Sequence, residues 1–315
     1  MCGIVGLHLR DPELYPRLGT LLTGMLGHMC DRGPDSAGMA VYGDPVWSPP
    51  GSVTVSVLDS PVSTGRLAEQ LTAALGVAVT AIELEPTIVL HAPSVGSAGA
   101  ATVRDRPEAA ASEVLASAVR AVAPGARVIG FGAGLAVLKG VGDPAELARR
   151  FGLPAAQGWQ GVVHTRMATE SAVTAEGSHP FSVGAGQCLV HNGSFSNHMS
   201  IKHELRRRGV EFDSENDTEM GARFVAEQLA GGADLEKALL LLNDVFDGFY
   251  TLLVSTSDSF AVVRDAIGCK PAVIAETDRW VAMASEYRAL ADLPGIEQAR
   301  IFEPEPEEVY VWRRS

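Results

Sequence analysis

Short apolar runs separated by polar turns dominate both ends of this chain, and a segment of different texture lies between them. Residues 3–7 and 38–42 read as short strands. They flank a stretch from Tyr15 to Met29 in which Leu18, Leu21, Leu22, Met25 and Leu26 recur at helical spacing. The loop Asp31-Arg32-Gly33-Pro34-Asp35 returns the chain to a strand. The second texture begins near Pro45 and runs to about Pro154. There Ser52–Val57, Ala78–Leu84 and Thr87–His91 pattern as strands, and Arg66–Leu75 and the Ala-rich Pro107–Val122 as helices. The glycine cluster Gly130–Gly134 is followed by neither a GKS/T nor a full dinucleotide fingerprint, so it reads as a turn or strand edge. From Gly161 onward the strand texture returns: Gly161–Thr165, Gln187–His191, Phe249–Ser255, Phe260–Arg264, Ala272–Glu276 and Trp280–Ala284. Helical patterns at Ser196–Arg208, Glu219–Leu229 and Leu235–Asn243 interrupt it. The Pro/Glu-rich Glu303–Glu308 reads as a solvated bend before a last strand, Val309–Trp312. The pattern predicts one globular core, residues 1–315, interrupted by an inserted segment at 46–157.

Composition narrows the partners. The 315 residues are 46% hydrophobic and only 6% aromatic, a globular mixture long enough to bury a real core. A net charge of −13 argues against nucleic acid or an anionic membrane surface as partner. No charged-then-apolar leader precedes Cys2 and no apolar run reaches membrane-spanning length, so a cytoplasmic protein is expected. The cysteines Cys2, Cys30, Cys188 and Cys269 are scattered without a CxxC, which supports no metal site. Cys30, Cys188 and Cys269 are expected to be buried or partly buried thiols in a reducing compartment.

Candidate chemistry starts at Met1-Cys2-Gly3-Ile4-Val5-Gly6. Removing Met1 would place an α-amine (pKa about 8) and a thiol (about 8.5) on one residue, so nucleophile and base arrive together. Taken alone, Cys2 is equally an ordinary second residue. Arg166 ends the apolar run Gly161–Thr165, where a guanidinium can clamp a carboxylate, and Thr169 offers a hydroxyl to the same anion. Asn192-Gly193 ends another apolar run and supplies a side-chain amide beside an accessible backbone N–H, a plausible oxyanion hole. In Glu215-Asn216-Asp217-Thr218-Glu219, Asp217 or Thr218 reads either as a helix N-cap or, for Asp217, as a carboxylate for a substrate ammonium.

These segments occur in one order with Arg32-Gly33-Pro34-Asp35-Ser36-Ala37-Gly38, His164-Thr165-Arg166-Met167-Ala168-Thr169, His179-Pro180-Phe181, Arg264-Asp265 and Ala284-Ser285-Glu286. The ordered set resembles the class II, N-terminal-nucleophile glutamine amidotransferase domain over residues 1–45 and 158–312. The resemblance implies an α+β fold, the αββα sandwich of two antiparallel sheets typical of Ntn hydrolases, with an inserted α/β segment. It also implies roles: Cys2 as nucleophile with its own amine as base, Asn192 and Gly193 as oxyanion hole, Arg166 and Thr169 on the glutamine α-carboxylate, and Asp217 on the α-ammonium. The sequence departs from several relatives at Met167, where they carry an aromatic residue, and from some at Glu170.

The wording of Glu170–Thr174, Gly177–Phe181, Cys269–Val273 and Ser285–Leu290 is similar to free-standing glutamate synthase domain 1-like subunits, including that of N-methylglutamate synthase. That likeness implies glutamine as substrate and a hetero-oligomer in which separate synthase subunits receive the ammonia. No cofactor is expected in this chain; FMN and an iron–sulfur cluster are expected on the partners. The chain ends soon after the sandwich, which is read as leaving no space for an acceptor domain. Two alternatives stand beside this reading: an N-terminal-cysteine hydrolase of another amide, and a glutamine-binding regulatory subunit with weak catalysis.

Overall fold

The structure, a computed structural model, describes residues 2–94, 108–167 and 172–314. In chain order, β1 (Gly3–Leu9), α1 (Leu18–Gly27) and β2 (Ser36–Tyr42) form the first unit. Then come β3 (Ser52–Leu58), α2 (Thr64–Leu75), β4 (Thr80–Leu84), β5 (Thr87–Pro93), α3 (Glu108–Val122), β6 (Arg127–Ala133), β7 (Leu135–Val141) and α4 (Pro144–Phe151). The next run is β8 (Gln160–Arg166), β9 (Cys188–Phe195), α5 (His198–Arg207), α6 (Asp217–Ala230) and α7 (Leu235–Val245). It ends with β10 (Gly248–Ser255), β11 (Ser259–Arg264), β12 (Val273–Glu276), β13 (Trp280–Ala284), β14 (Arg300–Phe302) and β15 (Val309–Arg313).

The strands make a seven-stranded sheet, β14-β12-β13-β1-β8-β2-β7, and two four-stranded sheets, β15-β11-β10-β9 and β4-β5-β3-β6. Every ladder among these named strands is antiparallel. The central strands of the first two sheets are buried on both faces, so they read as continuous apolar runs rather than alternating ones. Three apolar layers result. Leu22, Met25 and Leu26 of α1 and Phe151 of α4 cover the outer face of the large sheet with Leu7 and Met39. Ile4, Val162, Val190, Leu253, Phe260 and Met283 fill the space between the sheets. Phe224, Leu239 and Leu242 of α6 and α7 cover Tyr250, Leu252 and Val263 on the far side. The architecture is the helix–sheet–sheet–helix sandwich expected. Gly6 lets the sheets meet closely: a Cβ there would stand 2.4 Å from Leu253 Cδ2 and 2.9 Å from Phe260.

Residues 46–157 divide between two structures. The sheet β4-β5-β3-β6 with α2 and α3 builds its own core around Val55, Leu67, Leu90 and Leu115. The end of the range rejoins the main body: β7 is the edge strand of the large sheet, and α4 packs beside α1. The Gly130–Gly134 cluster lies in β6 and its tight turn into β7, where Gly134 takes φ +73°.

Two expectations are corrected here. The N-cap of α6 is Asn216, whose Oδ1 accepts the Thr218 N–H at 3.0 Å; Asp217 and Thr218 are already inside the helix. Cys269 is exposed rather than buried, because it lies in the turn region between β11 and β12 instead of on a strand facing a core. Cys30 is partly buried and Cys188 buried, as expected. No helix among the described residues is long and apolar enough to cross a membrane.

Candidate functional site

The start of β1 brings the candidate groups together. Gly3 pairs with Thr165 on β8, so the ladder continues Cys2 toward Arg166, the last residue of that strand. Ile4 is fixed on its other side by Ser285, whose Oγ accepts the Ile4 N–H (3.0 Å) and whose N–H donates to the Ile4 carbonyl (2.9 Å). The Cys2 carbonyl accepts from Arg32 Nε (3.0 Å) and from Asn192 Nδ2 (3.4 Å). Arg32 also pairs with Glu286 at 2.5 Å, and that hydrogen bond holds the Glu286 carboxyl below its ordinary range. The half-buried Cys2 is thus tethered through its backbone while its thiol has no disulfide partner.

Asn192 and Gly193 lie inside β9, not after it: the ladder with β10 continues through Gly193↔Tyr250 to Phe195↔Gly248. The terminal amide of Asn192 carries two N–H bonds, so its contact with Cys2 leaves one for a developing oxyanion. Gly193 takes φ +149°, and a Cβ there would stand 2.0 Å from the Phe249 carbonyl oxygen. Only glycine permits this approach of β9 to β10.

Arg166 is buried, with Nη1 donating to the Ala172 carbonyl at 3.2 Å. Asp217, in the first turn of α6, accepts the Phe195 N–H at 2.8 Å. That bond ties the helix N-terminus to the end of β9 and leaves the carboxylate partly exposed. Cys2, Arg166, Asn192, Gly193 and Asp217 therefore gather at one edge of the sandwich, at the ends of β1, β8 and β9. Thr169 lies outside the described residues.

The sequence reading quoted several further residues only as parts of motifs and gave them no role. Behind the site, His179 Nε2 and His191 Nδ1 both meet Thr218 Oγ1 at 2.8 Å. His164 Nε2 faces the His191 carbonyl at 3.1 Å, and the His164 and His179 rings meet at a 35° tilt with centroids 4.0 Å apart. Since a carbonyl only accepts, the His164 proton is assigned to Nε2. Burial holds all three imidazoles neutral: His164 is lowered to about 3, His179 well below its ordinary value, and His191 is lowered despite the Asp217 carboxylate. The trio joins β8, β9, the 179–181 segment and α6 into one block behind Asn192 and Asp217. Arg32 Nη2, near Cys2, is a buried donor without a hydrogen-bond partner among the described residues.

This arrangement is a thiol-bearing strand end faced by an amide donor, a guanidinium and a carboxylate, on an antiparallel αββα sandwich. A family profile described as "Glutamine amidotransferase domain" matches residues 164–292. The glutamine amidotransferase-like protein GlxB of Rhizobium meliloti is 46% identical over 312 residues, covering 99% of this chain and 98% of that one. The glutamine–fructose-6-phosphate aminotransferase of Streptomyces coelicolor is 35% identical over 160 residues, 50% of this chain and 26% of that protein. Among solved structures, the glutamine phosphoribosylpyrophosphate amidotransferase of B. subtilis superposes with a TM-score of 0.58 at 18% identity, covering all of this chain and 49% of that one. This last likeness concerns the fold. The chain belongs to the family of glutamine amidotransferase-like proteins.

Proposed function

We propose that this chain is the glutaminase subunit of a hetero-oligomeric synthase, with Cys2 as its nucleophile. The observation that carries the reading is the tether of Asn192 Nδ2 to the Cys2 backbone at 3.4 Å, with Arg166 at the neighbouring strand end and Asp217 at the end of β9. Once Met1 is removed, the freed amine takes the thiol proton, and the thiolate attacks the side-chain amide carbon of glutamine. Asn192 Nδ2 and the Gly193 N–H stabilise the oxyanion, where loss of one donor typically costs about 3–4 kcal/mol of transition-state stabilisation. Arg166 and Thr169 hold the α-carboxylate and Asp217 the α-ammonium. Ammonia leaves, and water cleaves the γ-glutamyl thioester to glutamate.

The acceptor of the ammonia, in this reading, is a separate synthase subunit of glutamate synthase or N-methylglutamate synthase type. FMN and any iron–sulfur cluster belong to such partners. Support for docking comes from the rim beside Gly193, where Phe249 and Ile267 are both exposed and Asp265 accepts the N–H groups of Tyr250 and Ile267. A glutaminase assay of wild type and Cys2→Ala, with and without candidate synthase subunits, tests the proposal. Hydrolysis that disappears in Cys2→Ala supports it; hydrolysis that persists overturns the mechanism. Glutamine binding without hydrolysis under every condition would favour a regulatory glutamine-binding subunit instead.

A further inference from the structure

Away from the Cys2 edge, a cavity of about 210 Å³ opens where β6 of the inserted sheet meets β7, the 176–183 segment and the start of α6. Lys139 lines it with its side chain buried. Among the described residues its ammonium donates only to the Glu176 carbonyl, at a long 3.5 Å, and otherwise lies 4.6 Å over the Phe181 ring. An ammonium has three donors, and leaving them unmet in a protein interior is costly. Burial lowers this lysine to about 8, so the charged form still predominates at neutral pH. Ser182 lines the same cavity, and its Oγ is buried without a nitrogen or oxygen partner among the described residues; the Cys188 thiol beside it is a weak one.

The acidic groups of the cavity are already engaged. Glu219 accepts the N–H groups of Asp213 (2.9 Å) and Ser214 (2.7 Å), and Arg223 pairs with Glu219 (3.0 Å) and Asp213 (2.7 Å). Glu176 faces Arg127 at 3.9 Å. The lining holds four basic residues (Arg120, Arg127, Lys139 and Arg223) against three acidic ones (Glu176, Asp213 and Glu219), a surplus of one positive charge, and the buried Lys139 forms no ion pair among the described residues. Val128, Phe131 and Phe181 supply apolar wall.

We propose that this cavity binds a small organic carboxylate, its anionic end on Lys139 and Ser182 and its carbon body against Phe131 and Phe181. A phosphate would bring more charge than the lining's surplus of one, would sit beside Glu176, Asp213 and Glu219, and would meet apolar walls. The site is separate from the glutamine pocket and independent of the glutaminase reading. It nevertheless shares a segment with it: Ala172, just before the cavity wall, and Gly177, next to Glu176 within it, give their carbonyls to Arg166 (3.2 Å) and Asn216 (3.1 Å).

Isothermal titration of the full chain with succinate, butyrate and inorganic phosphate tests this. At least one carboxylate should bind, and Lys139→Met should weaken it about tenfold or more, as expected for a lost charge-assisted hydrogen bond. Ser182→Ala should weaken it several-fold and carries the test if Lys139→Met does not fold. Arg166→Gln should leave it unchanged. Absence of carboxylate binding, binding of phosphate alone, or a loss confined to Arg166→Gln would each overturn the proposal.

Discussion

Replacing Thr218 by valine keeps the shape of a buried side chain and removes one hydroxyl. That hydroxyl is the shared partner of His179 Nε2 and His191 Nδ1, each at 2.8 Å, in a pocket where Thr218 is 1% exposed. The variant therefore strands two buried imidazole nitrogens, each costing about 1–3 kcal/mol when left unsatisfied. Among the described residues His164 Nδ1, His179 Nδ1 and His191 Nε2 already lack a hydrogen-bond partner, and the nearest alternative for His191 Nδ1 is the Asp217 carboxylate, 3.9 Å away and beyond hydrogen-bond reach. The expected loss of stability is about 4 kcal/mol, the middle of the two-group range of about 2–6 kcal/mol. Thr218→Ser keeps the hydroxyl and loses a methyl group, for which about 1 kcal/mol is expected. Urea unfolding of the three proteins, with midpoints and slopes compared, measures both numbers. A Thr218→Val loss no larger than that of Thr218→Ser would refute the reasoning, since packing rather than the hydroxyl would then hold the block together.

Acid should destabilise the fold through the same histidines. Their folded pKa values lie below the unfolded value near 6.5, so below that pH the unfolded chain binds more protons and stability falls as pH drops, by up to about 1.4 kcal/mol per pH unit for each such histidine. For His164 the window runs from about 6.5 down to about 3, so urea midpoints at pH 7, 6 and 5 should fall, and less steeply in His164→Gln. Gly193→Ala forces a Cβ against the Phe249 carbonyl and should cost about 3 kcal/mol of stability together with a hundredfold or greater loss in glutaminase kcat. Melting curves and steady-state kinetics check the two effects. Arg32→Met removes a donor to the Cys2 carbonyl and the Glu286 pair, and should lower kcat about tenfold with a smaller change in KM for glutamine, because Cys2 is held less firmly.

The sandwich was legible because its buried strands are apolar runs bounded by turns, and the expected strands fall within a few residues of the observed ones. What escaped was short or decided at long range. Pro144–Phe151 has its signals, an Asp143 cap accepting the Glu146 N–H and Pro144 at the first position, but only two turns of pattern. Asn192-Gly193 has turn composition, so the strand seemed to stop at His191; pairing with β10 overrides that local preference. The motifs carried the edge of the sandwich where Cys2, Arg166, Asn192 and Asp217 meet. They did not reveal that His164, His179, His191 and Thr218, from distant segments, form one buried network, because such contacts leave no local spacing to read.

The central claim is that Cys2 is the nucleophile, and covalent capture tests it most directly. Intact-mass and peptide analysis after treatment with a diazoketone analogue of glutamine should show a single adduct on a terminal peptide beginning at Cys2, with Met1 gone, and none in Cys2→Ala. An adduct on the exposed Cys269 instead, or none on a protein that hydrolyses glutamine, would contradict the account.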